Sequence, residues 1–131
     1  MKRVIIHVDG ASRGNPGPAA IGATIKDGQG RLITRISRRI GTTTNNQAEY
    51  RATIAALEEA VGLHAEQIEV KSDSELVVRQ INGQYRVKKA ELKPLYHQVK
   101  QLQKSLKDCT VTHIPRQQNI EADFLANKAL G

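Results

Sequence analysis

The chain has one cysteine, no tryptophan, one phenylalanine and three tyrosines among its 131 residues. A lone thiol cannot close an internal disulfide, so nothing points to a fold stapled in an oxidising compartment. Cys109 is expected to be a small buried residue opening a strand, rather than a reactive nucleophile. So few aromatics argue against a recognition surface built on stacked bases. Long apolar runs are missing too: Val4, Ile5 and Ile6 are followed by His7 and, two residues on, by Asp9. Such a run is too short for a bilayer span or a signal-peptide core, and a cytoplasmic protein is the expectation. Repeats, low-complexity tracts and linkers are absent, and the length suits one domain over residues 1–131 with a core of its own.

What the sequence does have is basic charge. Lysine and arginine number 20 against 13 aspartates plus glutamates, a formal net charge of +7. An excess of this size on a small domain favours polyanionic partners through counterion release. Charge alone is equally compatible with a merely soluble basic protein.

Periodicity supplies the architecture. Residues 3–9 read as a central strand, 10–18 as a Gly- and Pro-rich loop, and 19–27 as a second strand ending in a hairpin turn at Asp27-Gly28-Gln29-Gly30. A third strand near 31–40 carries Arg31, Arg35, Arg38 and Arg39, as suits a charge-protected edge. Tyr50, Ile54, Leu57 and Val61 then mark one face of a helix over 46–63. A strand at 67–72, a short helix at 74–82 and a helix striped by Leu92, Leu95, Val99, Leu102 and Leu106 follow, with Pro94 in its first turn. A strand at 109–114 and a helix at 119–130 complete the chain. Strands reached through helices should run parallel to the first, and the opening meander should be antiparallel. The prediction is an α/β fold: a mixed five-stranded sheet, three strands antiparallel and then two parallel, flanked by helices.

Four acids fall where this architecture could bring them together. Asp9 ends the first strand and Asp73 the fourth, Glu49 lies in the first turn of the long helix, and Asp123 in the first turns of the last. Ligands gather at the carboxyl edge of such sheets. Each acid also has an innocent reading: a turn at Asp9, helix-dipole complementarity at Glu49 and Asp123, a capping role at Asp73 beside a rival Ser72/Glu75 box. The joint pattern carries more than the parts. Carboxylates so gathered repel one another unless cations intervene, and hard oxygen donors suit Mg²⁺, with Mn²⁺ a substitute. Zinc is disfavoured, because His7, His64, His97 and His113 show no compact ligand spacing with Cys109.

Four segments carry a family resemblance. VDGASRGNPGPAAIGA, TTTNNQAEY, SDSELVVRQI and NIEADFLANKAL, in that order, resemble the successive motifs of type 1 ribonucleases H and cover nearly the whole chain. The stretch NGQYRVKKAELK has no room for the basic helix-and-loop that some members insert, so the likeness is to the shorter bacterial and archaeal-like branch. The resemblance implies a ribonuclease H-like fold and an endonuclease cutting the RNA strand of RNA–DNA hybrids, with 5′-phosphate and 3′-hydroxyl ends. Further implied are two Mg²⁺ ions held by Asp9, Gly10, Glu49, Asp73 and Asp123, with the four acids catalytic. Substrate contacts would come from Gly14, Asn15, Thr44, Asn45, Asn46 and Ser74, and Arg86, Lys88 and Lys89 would add a small basic patch. A monomer is expected, and a side activity on double-stranded RNA is left open. Two departures stand out: the loop PRQQNIEA lacks the histidine that some relatives place there, leaving Arg116 as the candidate to assist product release. Glu75, in turn, stands where several relatives carry a groove-contacting Gln.

The competing readings are a transposase- or resolvase-like nuclease of the same fold, a non-catalytic hybrid-binding module, and a haloacid dehalogenase-type phosphatase. The last expects a second Asp two residues after Asp9, where Ala11 stands.

Overall fold

The computed structural model describes residues 2–131. Strands β1 (Arg3–Ser12), β2 (Gly17–Asp27) and β3 (Leu32–Thr43) form the antiparallel meander. Helix α1 (Asn45–Gly62) leads to β4 (Gln67–Ser72), and α2 (Glu75–Ile81) and α3 (Lys93–Ser105) lead to β5 (Asp108–His113). A 3₁₀ turn at Arg116–Gln118 precedes the last helix, α4 (Ile120–Leu130). Both β4 and β5 are parallel additions, giving the order β3-β2-β1-β4-β5 with β1 at the centre. This is the expected mixed sheet.

The two faces of β1 are assigned by its glycine partners. A Cβ on Gly10 would lie 2.3 Å from the Ala48 carbonyl carbon of α1, whereas a Cβ on Gly22 would lie 2.3 Å from the Ala122 oxygen of α4. Gly22 pairs with Asp9 and so shares its face, while Gly10, one residue on, points the other way. Helices α1 and α4 therefore cover opposite faces, each pressed onto the sheet where a side chain is missing. Val4, Ile6, Val8, Ile21, Ile25, Tyr50, Leu57, Ile68, Val70 and Leu92 make up much of the core, and all are almost fully buried.

Element ends differ from expectation in several places. Residues 10–18 were expected as a loop, yet Gly10, Ala11 and Ser12 still pair with Ile21, Ala20 and Ala19, so the connection is only 13–16. Glycines that look like loop punctuation here serve close helix approach within a strand. Strand β3 likewise runs on to Thr43, beyond the expected residue 40. In α1 the expected stripe is buried at Tyr50, Ile54 and Leu57 and widened by an alanine-rich band (Ala48, Ala52, Ala55, Ala56, Ala60), whereas Val61, at the helix end, is exposed. Cys109 is half-buried in β5, where burial pushes its thiol pKa up and keeps it unreactive.

Candidate active site

The parallel register Val8↔Ser72 places Asp9 and Asp73 as the next residues of neighbouring strands. Asp73 follows β4 immediately. Ser74 is the N-cap of α2, its Oγ accepting from the Val77 N–H at 3.4 Å, so Asp73 is released from the capping role that the sequence allowed it. Ser72 Oγ accepts the Ser74 N–H at 3.1 Å instead of forming a box with Glu75, and Glu75 pairs with Arg79 at 3.2 Å.

Glu49 arrives from the other face. It lies in the second turn of α1, not the first, because the cap is Thr44: Thr44 Oγ1 accepts from the Gln47 N–H, and the Gln47 side chain accepts the Thr44 N–H in return. The Asn45-Asn46 pair is thereby not the cap. The close approach of α1 at Gly10 lets the Gly10 N–H donate directly to Glu49 Oε1. Asp123 stands in the first turn of α4, held onto Asp9's face of the sheet by the Gly22 contact.

Carboxylate oxygens of Asp9, Glu49 and Asp73 lie within 4.8 Å of one another. Asp123 joins them at the rim of the same cleft, where its Oδ1 accepts from Asn127 Nδ2 at 3.2 Å. Asp9 and Glu49 are 6% and 4% exposed. Burial, reinforced by the charges of Asp73 and Asp123, pushes the Asp9 carboxyl from its ordinary 3.8 up to about 8. Burial and the neighbouring Asp9 likewise raise Glu49 well above the carboxylate range, against the pull of the Gly10 N–H. A protein has no reason of stability to bury two mutually repelling acids. The donor set, all hard carboxylate oxygen, fits a divalent cation that would relieve that repulsion.

The acids floor a cleft of about 380 Å³ that Gly10, Asn45, Ser74, Arg116 and Asn127 help to line. Arg116 is exposed, 4.0 Å from Asp123. Asn46 lines the neighbouring cleft, about 520 Å³, with Tyr85, Arg86, Lys88 and Lys89. Gly14 (φ +121°) and Asn15 sit in the β1–β2 turn, outside both clefts, but Asn15 Oδ1 accepts the Asn45 N–H at 3.1 Å and ties that turn to the start of α1.

Comparison with known proteins points the same way. A family described as reverse transcriptase-like matches residues 7–129. A ribonuclease HI of Halobacterium salinarum is 44% identical over 128 residues, 98% of this chain and 64% of that protein. The crystal structure of ribonuclease H1 from the same archaeon superposes with a TM-score of 0.95, covering 98% of this chain and 97% of that one. The chain belongs to the type 1 ribonuclease H family.

Two further ribonuclease H structures are similar over nearly the full chain. The N-terminal ribonuclease H domain of a bifunctional Mycobacterium tuberculosis protein is 42% identical with a TM-score of 0.95, covering 98% of this chain and 99% of that one. The ribonuclease H1 named LC11, isolated from compost and solved in complex with an RNA/DNA hybrid, is 42% identical with a TM-score of 0.91, covering 96% and 95%. The chain spans 64% of the Halobacterium protein and 35% of the mycobacterial one. Two polar residues of this ribonuclease H site were not anticipated. Asn127 holds Asp123 by both its carboxylate and its backbone carbonyl, the latter at 2.9 Å. It lies four residues after Asp123, a one-turn helical spacing that could have flagged it. Asn119, buried beside Asp73, carried no such signal.

Proposed function

We propose that this chain hydrolyses the RNA strand of RNA–DNA hybrids, leaving 5′-phosphate and 3′-hydroxyl ends. The observation that carries the reading is the convergence of Asp9, Glu49 and Asp73 within 4.8 Å, with Asp123 on the same cleft. The family membership and the hybrid-bound LC11 relative support the choice of substrate.

Asp9, Glu49, Asp73 and Asp123 would hold two Mg²⁺ ions, or Mn²⁺ in their place, which supply an activated water and offset the charge accumulating on the phosphate. The protein's own part is positioning. Gly10 contributes its N–H, which fixes Glu49, and its lack of a Cβ, which lets α1 close on β1. Asn127 holds Asp123 by a hydrogen bond at 3.2 Å, and Arg116, exposed at the rim 4.0 Å from Asp123, would draw the cut 5′-phosphate outward.

Asn45 faces the acids and Asn46 the basic cleft, so the entry of α1 would straddle the two strands in the minor groove, where amides can both donate and accept. Gly14 and Asn15 would brace Asn45 from the turn. Ser74 keeps its hydroxyl proton free for a phosphate, whereas Thr44 Oγ1 donates to Gln47 Oε1 at 3.1 Å and would engage substrate only by opening its capping box.

The test is Mg²⁺-dependent cleavage of an end-labelled hybrid beside duplex RNA, duplex DNA and single strands. Cleavage confined to the hybrid's RNA strand is expected. Binding without cutting would replace the reading with a hybrid-binding module, cutting of DNA would favour a resolvase-like nuclease, and cutting of duplex RNA would add the side activity.

A further inference from the structure

The side chain of Asn119 is 1% exposed and makes an unusual choice of partners. Asparagine directly before a helix normally caps it, the side-chain oxygen accepting one of the first free N–H groups. Asn119 occupies that position for α4 and makes no side-chain cap bond. Its Nδ2 donates instead to the Val8 carbonyl at 2.8 Å and to Asp73 Oδ2 at 3.4 Å. With two acceptors on one side of the amide, the nitrogen must face them, because the flipped oxygen would meet only lone pairs. Its Oδ1 is left buried without a protein partner among the described residues. The amide thus forgoes the cap its position offers and is turned toward Val8 and Asp73.

Its connections reach three of the four acids. Val8 is the residue before Asp9 on β1, Asp73 is contacted directly, and the Asn119 carbonyl accepts the Asp123 N–H at 3.1 Å. One residue thus joins the central strand, the end of β4 and the first turn of α4, at the place where the site is assembled from separate elements. We propose that Asn119 is a positioning residue of the site: its amide orients the Asp73 carboxylate and sets the distance from α4 to β1, and so tunes the site's affinity for divalent cations. The idea rests on the nuclease reading only for its catalytic consequence. The cation affinity can be tested whether or not the chain cuts hybrid.

The experiment measures Mn²⁺ binding by titration calorimetry, hybrid cleavage, and thermal unfolding in the wild type, Asn119→Ala, Asn119→Asp, Asp73→Ala and the Asn119→Ala/Asp73→Ala double variant. Asn119→Ala should raise the Mn²⁺ dissociation constant about tenfold, lower kcat by ten- to a hundredfold with the KM for hybrid unchanged, and raise the Mg²⁺ concentration for half-maximal rate. Asn119→Asp keeps the shape but loses the donors, and should show the same loss. In the Asp73→Ala background, removing Asn119 should weaken Mn²⁺ binding much less, because its target is gone. An equal loss in both backgrounds would mean a general structural role and overturn the proposal, as would unchanged cation affinity in Asn119→Ala. Should both variants fail to fold, ¹⁵N-labelled wild type decides: Asn119 side-chain amide resonances must shift with Mg²⁺ at the midpoint of cation binding, and static resonances overturn the proposal. A wild type whose Mn²⁺ affinity depends on Asn119 but which leaves hybrid uncut removes the nuclease reading and keeps this one.

Discussion

At the scale of single residues, the site is a place where the fold works against itself. Asp9 holds its proton up to a pH of about 8 when folded and releases it near 3.8 when unfolded. Between those values the folded state binds the extra proton. Stability of the cation-free protein should therefore fall as pH rises from about 4 to about 8, by up to ~1.4 kcal/mol per unit for one such group. Glu49 adds to the trend in the same direction. Mg²⁺ favours the ionised acids, so it should raise the unfolding temperature more at pH 8 than at pH 5. Urea or thermal unfolding in chelator and in Mg²⁺ at the two pH values checks this. A cation-free stability that stays flat or climbs over that range contradicts the burial argument. Asp9→Asn separates stability from function: it should flatten the pH dependence and stabilise the cation-free protein at pH 8, while reducing hybrid cleavage to near background. Turnover close to normal in that variant would remove Asp9 from the catalytic set.

At the scale of elements, the acids meet because two helices sit unusually close to the sheet, and glycine permits both approaches. A Cβ on Gly22 would fall 2.3 Å from Ala122 O and 2.4 Å from Ala126 N, backbone atoms that cannot turn aside. Gly22→Ala must lift α4, and Asp123 with it. We expect a loss of roughly 2 kcal/mol or more, in the range of overpacked cores, and a fall in kcat that Mg²⁺ does not rescue. Gly28→Ala is the control, since its Cβ would meet only the flexible Arg3 side chain at 3.6 Å. Equal stability of the two variants would refute the close-packing account. These same glycines explain what could be read from the sequence. Strand and helix order followed from periodicity, and the flanking motifs located all four acids. The ends of β1 and β2 could not be read that way, because Gly10 and Gly17 look like loop residues until the helix and turn that exclude a Cβ are in place. Asn119 was hidden for a related reason: its position suggests a cap, and only tertiary structure shows its amide turned to Asp73.

At the scale of the whole molecule, the excess charge of +7 must coexist with a cluster of buried acids, and the two are kept apart in space. Arg86, Lys88 and Lys89 line a cleft next to the acidic one, with Asn46 and Gln80 on its walls and Tyr85 beneath the Arg79 guanidinium at 5.3 Å. A nucleic-acid duplex crossing both would present its cut strand to the acids and its other strand to the basic side. Basic contacts with phosphates release counterions, and each contributes about 0.9 to the slope of log affinity against log salt on duplex DNA. Reversing Arg86, Lys88 and Lys89 to glutamate should therefore weaken hybrid binding more than tenfold at about 50 mM salt and much less at about 200 mM, flattening the slope by roughly 2 to 3. The maximal rate at saturating hybrid should hold, because none of the three touches the acids. Filter binding across a salt series measures the slope, and single-turnover cleavage measures the rate. An unaltered slope would leave these charges to solvent and move the second-strand contact elsewhere. A collapsed rate with normal affinity would instead couple the basic segment to the assembly of the acidic site.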